Sequence, residues 1–203
     1  MRKKLNRQRL DSLWKELTEM SEYEQTATVG GETYCFDKSG YFLGTKSGIG
    51  NYIEVNGQIK ELDGSISFIN PNTGHATSGN SNGSVMFTGN GISHEVFSFF
   101  SENTNVEWTY CYKDGSTGGG LLTTDHKEHQ SSIPNYQYLQ QQGYDSIVHN
   151  HGDGVDPHNQ NAVNQAWESS LEDQESAAAA KRYNMKFYIY NEADPDGGYM
   201  RVK

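Results

Sequence analysis

Residues 144–151, YDSIVHNH, read as an apolar strand ending in two histidines; residues 170–190, SLEDQESAAAAKRYNMKFYIY, read as an Ala-rich helix (170–182) and then a buried strand (185–190). Strand, helix and strand in succession decide the fold class, which is α/β. Working back toward the N-terminus, ISHEVFSFFSEN (92–103) reads as a helix and VEWTYCY (106–112) as another strand. Toward the C-terminus an acidic turn, Asp194-Pro195-Asp196-Gly197-Gly198, precedes a short closing strand in YMRVK. Residues 85–203 are therefore expected to form one α/β domain.

The first 84 residues have a different texture. Leu10, Leu13, Trp14, Leu17 and Met20 recur at steps of three or four between charged residues, predicting an amphipathic helix at about 8–22. Its basic start, Arg2, Lys3, Lys4, Arg7 and Arg9, reads as a solvated helix end. From Glu32 to Phe68, short aromatic and β-branched runs are cut by Asp37-Lys38-Ser39-Gly40 and by Asn56-Gly57, which predicts a small module of β-hairpins. Residues 70–84, NPNTGHATSGNSNGS, can bury almost nothing and read as a linker or loop.

Composition narrows the function classes. The chain has 203 residues and a formal net charge of −10, with 33% hydrophobic residues against 12% aromatic, so its core must rest on aromatic and β-branched side chains. A surplus of acid repels polyphosphate, and a nucleic-acid partner is not expected. No apolar run is long enough for a membrane span, and the charged start is not followed by the apolar core of a signal peptide. The expectation is a soluble protein. Cys35 and Cys111 lack CxxC spacing and read as buried thiols rather than as a zinc knuckle or a disulfide framework.

The chemistry concentrates in three places. His149 and His151, two apart on a strand, point to one face and can converge on a metal ion. Ser170, three residues before Asp173, has the spacing of a capping box, which is compatible with a role for Asp173 at a metal if that helix end faces the ion. Glu107 enters an otherwise apolar strand on the face of Thr109 and Cys111; an acid there either meets water or is held for a purpose. The cluster Asp125-His126-Lys127-Glu128-His129 reads as a polar loop, His75 and His94 have nothing specific around them, and Trp14, Trp108 and Trp167 read as packing residues.

Glu, then HxH ending a strand, then SxxD opening a helix resembles the JAMM metallopeptidases, the catalytic branch of the MPN (JAB) family. More narrowly, ENTNVEWTYCYKDGSTGGGLLTTDHKEHQ, SIVHNH and AAAAKRYNMKFYIYNEADPDGGYM resemble the JAB-like toxin domains of bacterial polymorphic-toxin proteins, over about residues 92–203. The resemblance implies a cytidine-deaminase-like mixed sheet flanked by helices and a zinc-dependent peptidase or isopeptidase. It also implies a protein or peptide substrate, including conjugates of ubiquitin-like modifiers, an immunity protein as partner, and a bacterial cytoplasmic protein delivered to a target cell. His149, His151 and Asp173 would be the zinc ligands, with water in the fourth position. Glu107 would be the general base and Ser170 the oxyanion donor.

The sequence departs from the family pattern in one respect. Eighteen residues, 152–169, separate His151 from Ser170 where the family has far fewer, and the proline that usually follows HxH is missing. Loop-closure entropy grows slowly enough to tolerate such an insert, which could serve as a lid or substrate-binding loop. It leaves Asp153, Asp156 and His158 as alternative third ligands, with Asp173 preferred because the helix and strand after it keep the family's order. A JAB-fold binding module without turnover is the alternative function. A zinc deaminase is disfavoured by the missing pair of cysteine ligands, and an HNH nuclease by histidines that are adjacent rather than far apart.

Overall fold

The computed structural model describes residues 31–70, 75–80, 83–116, 118–127, 133–151, 170–191 and 198–202. The expected helix at 8–22 with Trp14, the residues Glu128 and His129, the insert 152–169 with Trp167, and the turn at 194–197 lie outside these residues.

Two sheets are present among the described residues. The smaller has β1 (Gly31–Phe36), β2 (Phe42–Gly48), β3 (Tyr52–Val55) and β4 (Gln58–Glu61) in the order β2-β1-β3-β4. Both expected hairpins are there: β1 turns into β2 through Gly40, and β3 into β4 through Asn56 and Gly57, all three with the positive φ such turns demand. The parallel pairing of β1 with β3 joins them.

The larger sheet contains β5 (Ser67–Phe68), β6 (Val85–Thr88), β7 (Thr109–Tyr112), β8 (Leu121–Thr124), β9 (Ser146–His151), β10 (Lys186–Asn191) and β11 (Tyr199–Arg201). Their order is β11-β10-β9-β7-β8-β6-β5, and the sheet is mixed because β9 and β10 run parallel while the other pairs are antiparallel. Three helices accompany it: α1 (His94–Asn103), α2 (Tyr136–Gln141) and α3 (Leu171–Arg182). Ser93 caps α1, so that helix starts two residues later than its apolar pattern implied.

Strand alternation sorts the side chains into two cores. On one face Cys111, Ile147, Phe187 and Ile189 pack under Ala177 and Ala180 of α3 and Leu139 of α2. On the other, Tyr110, Val148 and Tyr190 pack with Phe97 and Phe100 of α1 and with Tyr34, Phe36, Ile53 and Val55 of the smaller sheet. With both faces covered, β7, β8 and most of β9 are buried throughout. Trp108 is fully buried among these rings, in the packing role expected of it. Both cysteines are free and buried.

One strand is shorter than its sequence. Residues 106–108 do not join the ladder of β7, because the Trp108 N–H is taken by the side-chain Oδ1 of Asn150 at 2.5 Å. Of the polar segment 70–84, the described residues are tied to sheet edges. Ile69 bridges Ala76, Thr77 N–H donates to Phe68 O, and the Asn80 amide both donates to and accepts from the backbone of Phe42.

Candidate metal centre

The crossover from β9 to β10 builds the site. Because the two strands are parallel neighbours, the chain must cross over the sheet between them, and α3 is the helix that returns it. Ala177 and Ala180 let α3 lie close to the sheet, and its N-terminal turn reaches the end of β9. His149 and Ile147 share the α3 face of β9, so His149 points at that turn.

His149, His151 and Asp173 converge there, each offering a ligand atom, with all three atoms within 4.8 Å of one another. Nε2 of His149 lies 2.9 Å from Oδ1 of Asp173, and Nε2 of His151 lies 3.6 Å from Oδ2. His149 is 5% and Asp173 4% exposed, while His151 is half-buried. The other ring nitrogen of His149, Nδ1, is 3.8 Å from Oε2 of Glu107, itself only 8% exposed.

Asp173 is held by a true capping box. Ser170 Oγ accepts from the Asp173 N–H at 3.1 Å, and Asp173 Oδ2 accepts from the Ser170 N–H at 2.6 Å. The capping and ligand readings of this sequence are thus one geometry: Oδ2 answers the cap while Oδ1 faces His149. Ser170 itself is exposed, and a hydroxyl that accepts one hydrogen bond still has its own proton to donate.

The electrostatics follow from this crowding. Burial pushes the His149 imidazole down, but Asp173 and Glu107 outweigh it and hold the group up at about 9. Burial likewise pushes the Asp173 carboxyl up, and the two imidazoles with the Ser170 N–H hold it well below the usual carboxylate range.

The donor set fits a transition-metal ion: two imidazoles and a carboxylate are the ligands of a three-point site with an open position. A second observation agrees. Thr109, opposite His149 in the ladder, is fully buried, and its hydroxyl has no hydrogen-bond partner among the described residues. Cross-strand partners share a face, so a polar group that no described residue uses is held beside the histidine. Among the described residues no other group of this kind occurs. Asp153, Asp156 and His158 lie outside those residues, while His126 is engaged elsewhere, its ring stacked on Tyr41 and Nδ1 2.9 Å from Ser39 O.

Sequence reasoning passed over Asn150 and Thr124. Asn150 was only the letter between two histidines, yet its fully buried amide grips the backbone on both sides of Glu107. Thr124 Oγ1 donates to Glu107 O at 2.6 Å. No local pattern flags either residue, because both act across strands.

A buried group of metal-ligand type, at the end of a strand and the start of a crossover helix, defines a mixed α/β domain able to hold a metal ion. Residues 85–181 match the family model described as JAB-like toxin 1, so this segment of the chain is similar to JAB-like toxin domains. No curated protein and no solved structure matches the chain.

Proposed function

We propose that the chain is a zinc-dependent hydrolase of the JAMM type, cutting peptide or isopeptide bonds as a bacterial toxin or effector. The observation that carries this reading is the convergence of His149, His151 and Asp173 beside Glu107 within a segment similar to JAB-like toxin domains. Zinc held by such a set lowers the pKa of a coordinated water toward neutrality and polarises the scissile carbonyl.

The chain's own residues supply the remainder. Glu107, buried and unable to swing freely into solvent, takes the proton of the attacking water and returns it to the leaving amine. Ser170, exposed at the helix start, donates to the oxygen on which negative charge develops. The capping box fixes the Asp173 carboxylate, the kind of outer support that keeps a ligand in place. A protein or peptide substrate, including conjugates of ubiquitin-like modifiers, and an immunity protein that blocks the site belong to the same reading. So do the cytidine-deaminase-like layout and the helix at 8–22, which an experimental structure of the full chain tests.

The functional test is hydrolysis of peptide libraries and of modifier conjugates by the zinc-loaded chain. Cleavage that disappears in Glu107→Gln, with zinc still bound, is the expected result. No cleavage of any substrate by a fully loaded protein would favour a binding module instead.

A further inference from the structure

We propose that Asn150, the residue between the two histidines, is a positioning residue for Glu107, holding the start of β7 so that this carboxylate stands beside the ligand group instead of in the strand ladder. The proposal rests on the metal-centre reading above.

Asn150 is fully buried, and alternation along β9 turns it to the face opposite His149 and His151. Its Oδ1 accepts from Trp108 N–H at 2.5 Å and its Nδ2 donates to Val106 O at 3.5 Å. One amide therefore holds the residues on either side of Glu107. The Asn150 N–H meanwhile donates to Trp108 O at 3.3 Å. In a regular antiparallel ladder the Trp108 N–H would go to the Asn150 backbone carbonyl, and the register would pair Glu107 with His151, their Cβ atoms ~4.5–5.5 Å apart.

Here a side-chain oxygen replaces that carbonyl, and the ladder stops at Thr109 opposite His149. Glu107 instead has its N–H bound to Lys127 O at 2.9 Å and its carbonyl bound by Thr124 Oγ1 at 2.6 Å. From this position the carboxylate reaches toward His149 Nδ1. An apolar residue at 150 would suit a buried strand equally well, yet it would take away the side-chain partners of the Trp108 N–H and the Val106 carbonyl, letting the Trp108 N–H return to the ladder, and with them the hold on Glu107.

The test is a double-mutant cycle on the full chain, with Asn150→Ala, Glu107→Gln and both together. Zinc affinity is read by competition with a chromophoric chelator, and the visible spectrum is read on the cobalt(II)-loaded protein. Thermal unfolding without metal shows whether each variant folds, and Asn150→Ser is measured alongside as the milder change. Asn150→Ala is expected to weaken zinc binding about tenfold and to alter the cobalt bands, the scale of losing an outer-sphere partner. In the Glu107→Gln background the same substitution should change neither, because nothing remains to be positioned. Additive effects, or Asn150 variants with wild-type affinity and spectrum, would overturn the proposal. Wild-type protein that takes up neither ion would overturn the metal reading itself, which keeps the two failures apart.

Discussion

Asp173 serves two structural purposes at once, and its variants separate them. Ser170→Ala removes the acceptor for the Asp173 N–H but keeps the Ser170 N–H, so it should cost about 1 kcal/mol of stability, the usual cost of a lost cap. Zinc binding should survive in it, whereas Asp173→Ala should lose both cap and ion; thermal melts and metal titrations of the two variants check this. On the proposed function, His149 would set the pH dependence of metal uptake. Its imidazole is held at about 9 by Asp173 and Glu107, so at lower pH an entering ion must displace its proton. Zinc affinity should therefore rise with pH, roughly tenfold per unit below that value, and a flat profile from chelator competition between pH 6.5 and 8.5 would contradict this charge state. Glu107→Gln removes one of the two carboxylates that raise His149, so its affinity should stop rising at a lower pH than that of the wild type.

At the scale of elements, α3 is the part that places the site. Ala180 is fully buried against the sheet, and Ala180→Leu should overpack that contact, destabilising the protein by about 1–3 kcal/mol and weakening zinc binding as the N-terminal turn is displaced from β9. Circular dichroism melts and metal competition on this variant report both effects. Much of this element was legible beforehand: Ser170 through Asp173 carried the cap, the alanine run carried the helix, and MKFYIY carried the strand. What escaped was cross-strand. The strand expected from Val106 begins only at Thr109, since its amide partner is a side chain 42 residues away. The short β6 and β8 have no polar alternation to announce them, because both of their faces are covered. Helix α2 spans six residues, too few for a helical period to stand out.

For the whole molecule, two histidines away from the metal centre predict acid sensitivity. Burial pushes His94 down, with Asp114 partly offsetting it, and burial pushes His126 down against the Ser39 carbonyl. A base whose folded pKa lies below its unfolded value binds its proton better in the unfolded chain. The stability it supports is thus complete above about pH 6.5 and lost as pH falls through that value toward the depressed one. Melting temperature should drop between pH 7 and 5, and less in His126→Asn, whose new side chain tolerates the left-handed backbone at that position. The shared aromatic core of the smaller sheet, α1 and the larger sheet was foreshadowed by an aromatic-rich, aliphatic-poor composition, but the parallel joining of two hairpins through β1 and β3 was not, since turn chemistry fixes only neighbours. The most direct test of the account is metal content, by elemental mass spectrometry, of the untagged 203-residue chain purified without added metal. It is read for zinc and iron together, because two imidazoles and a carboxylate accept both. The account predicts about one ion per chain, zinc, absent from His149→Ala and from Asp173→Ala. Wild-type protein that stays empty after zinc addition, or a zinc ion retained by Asp173→Ala, would contradict it.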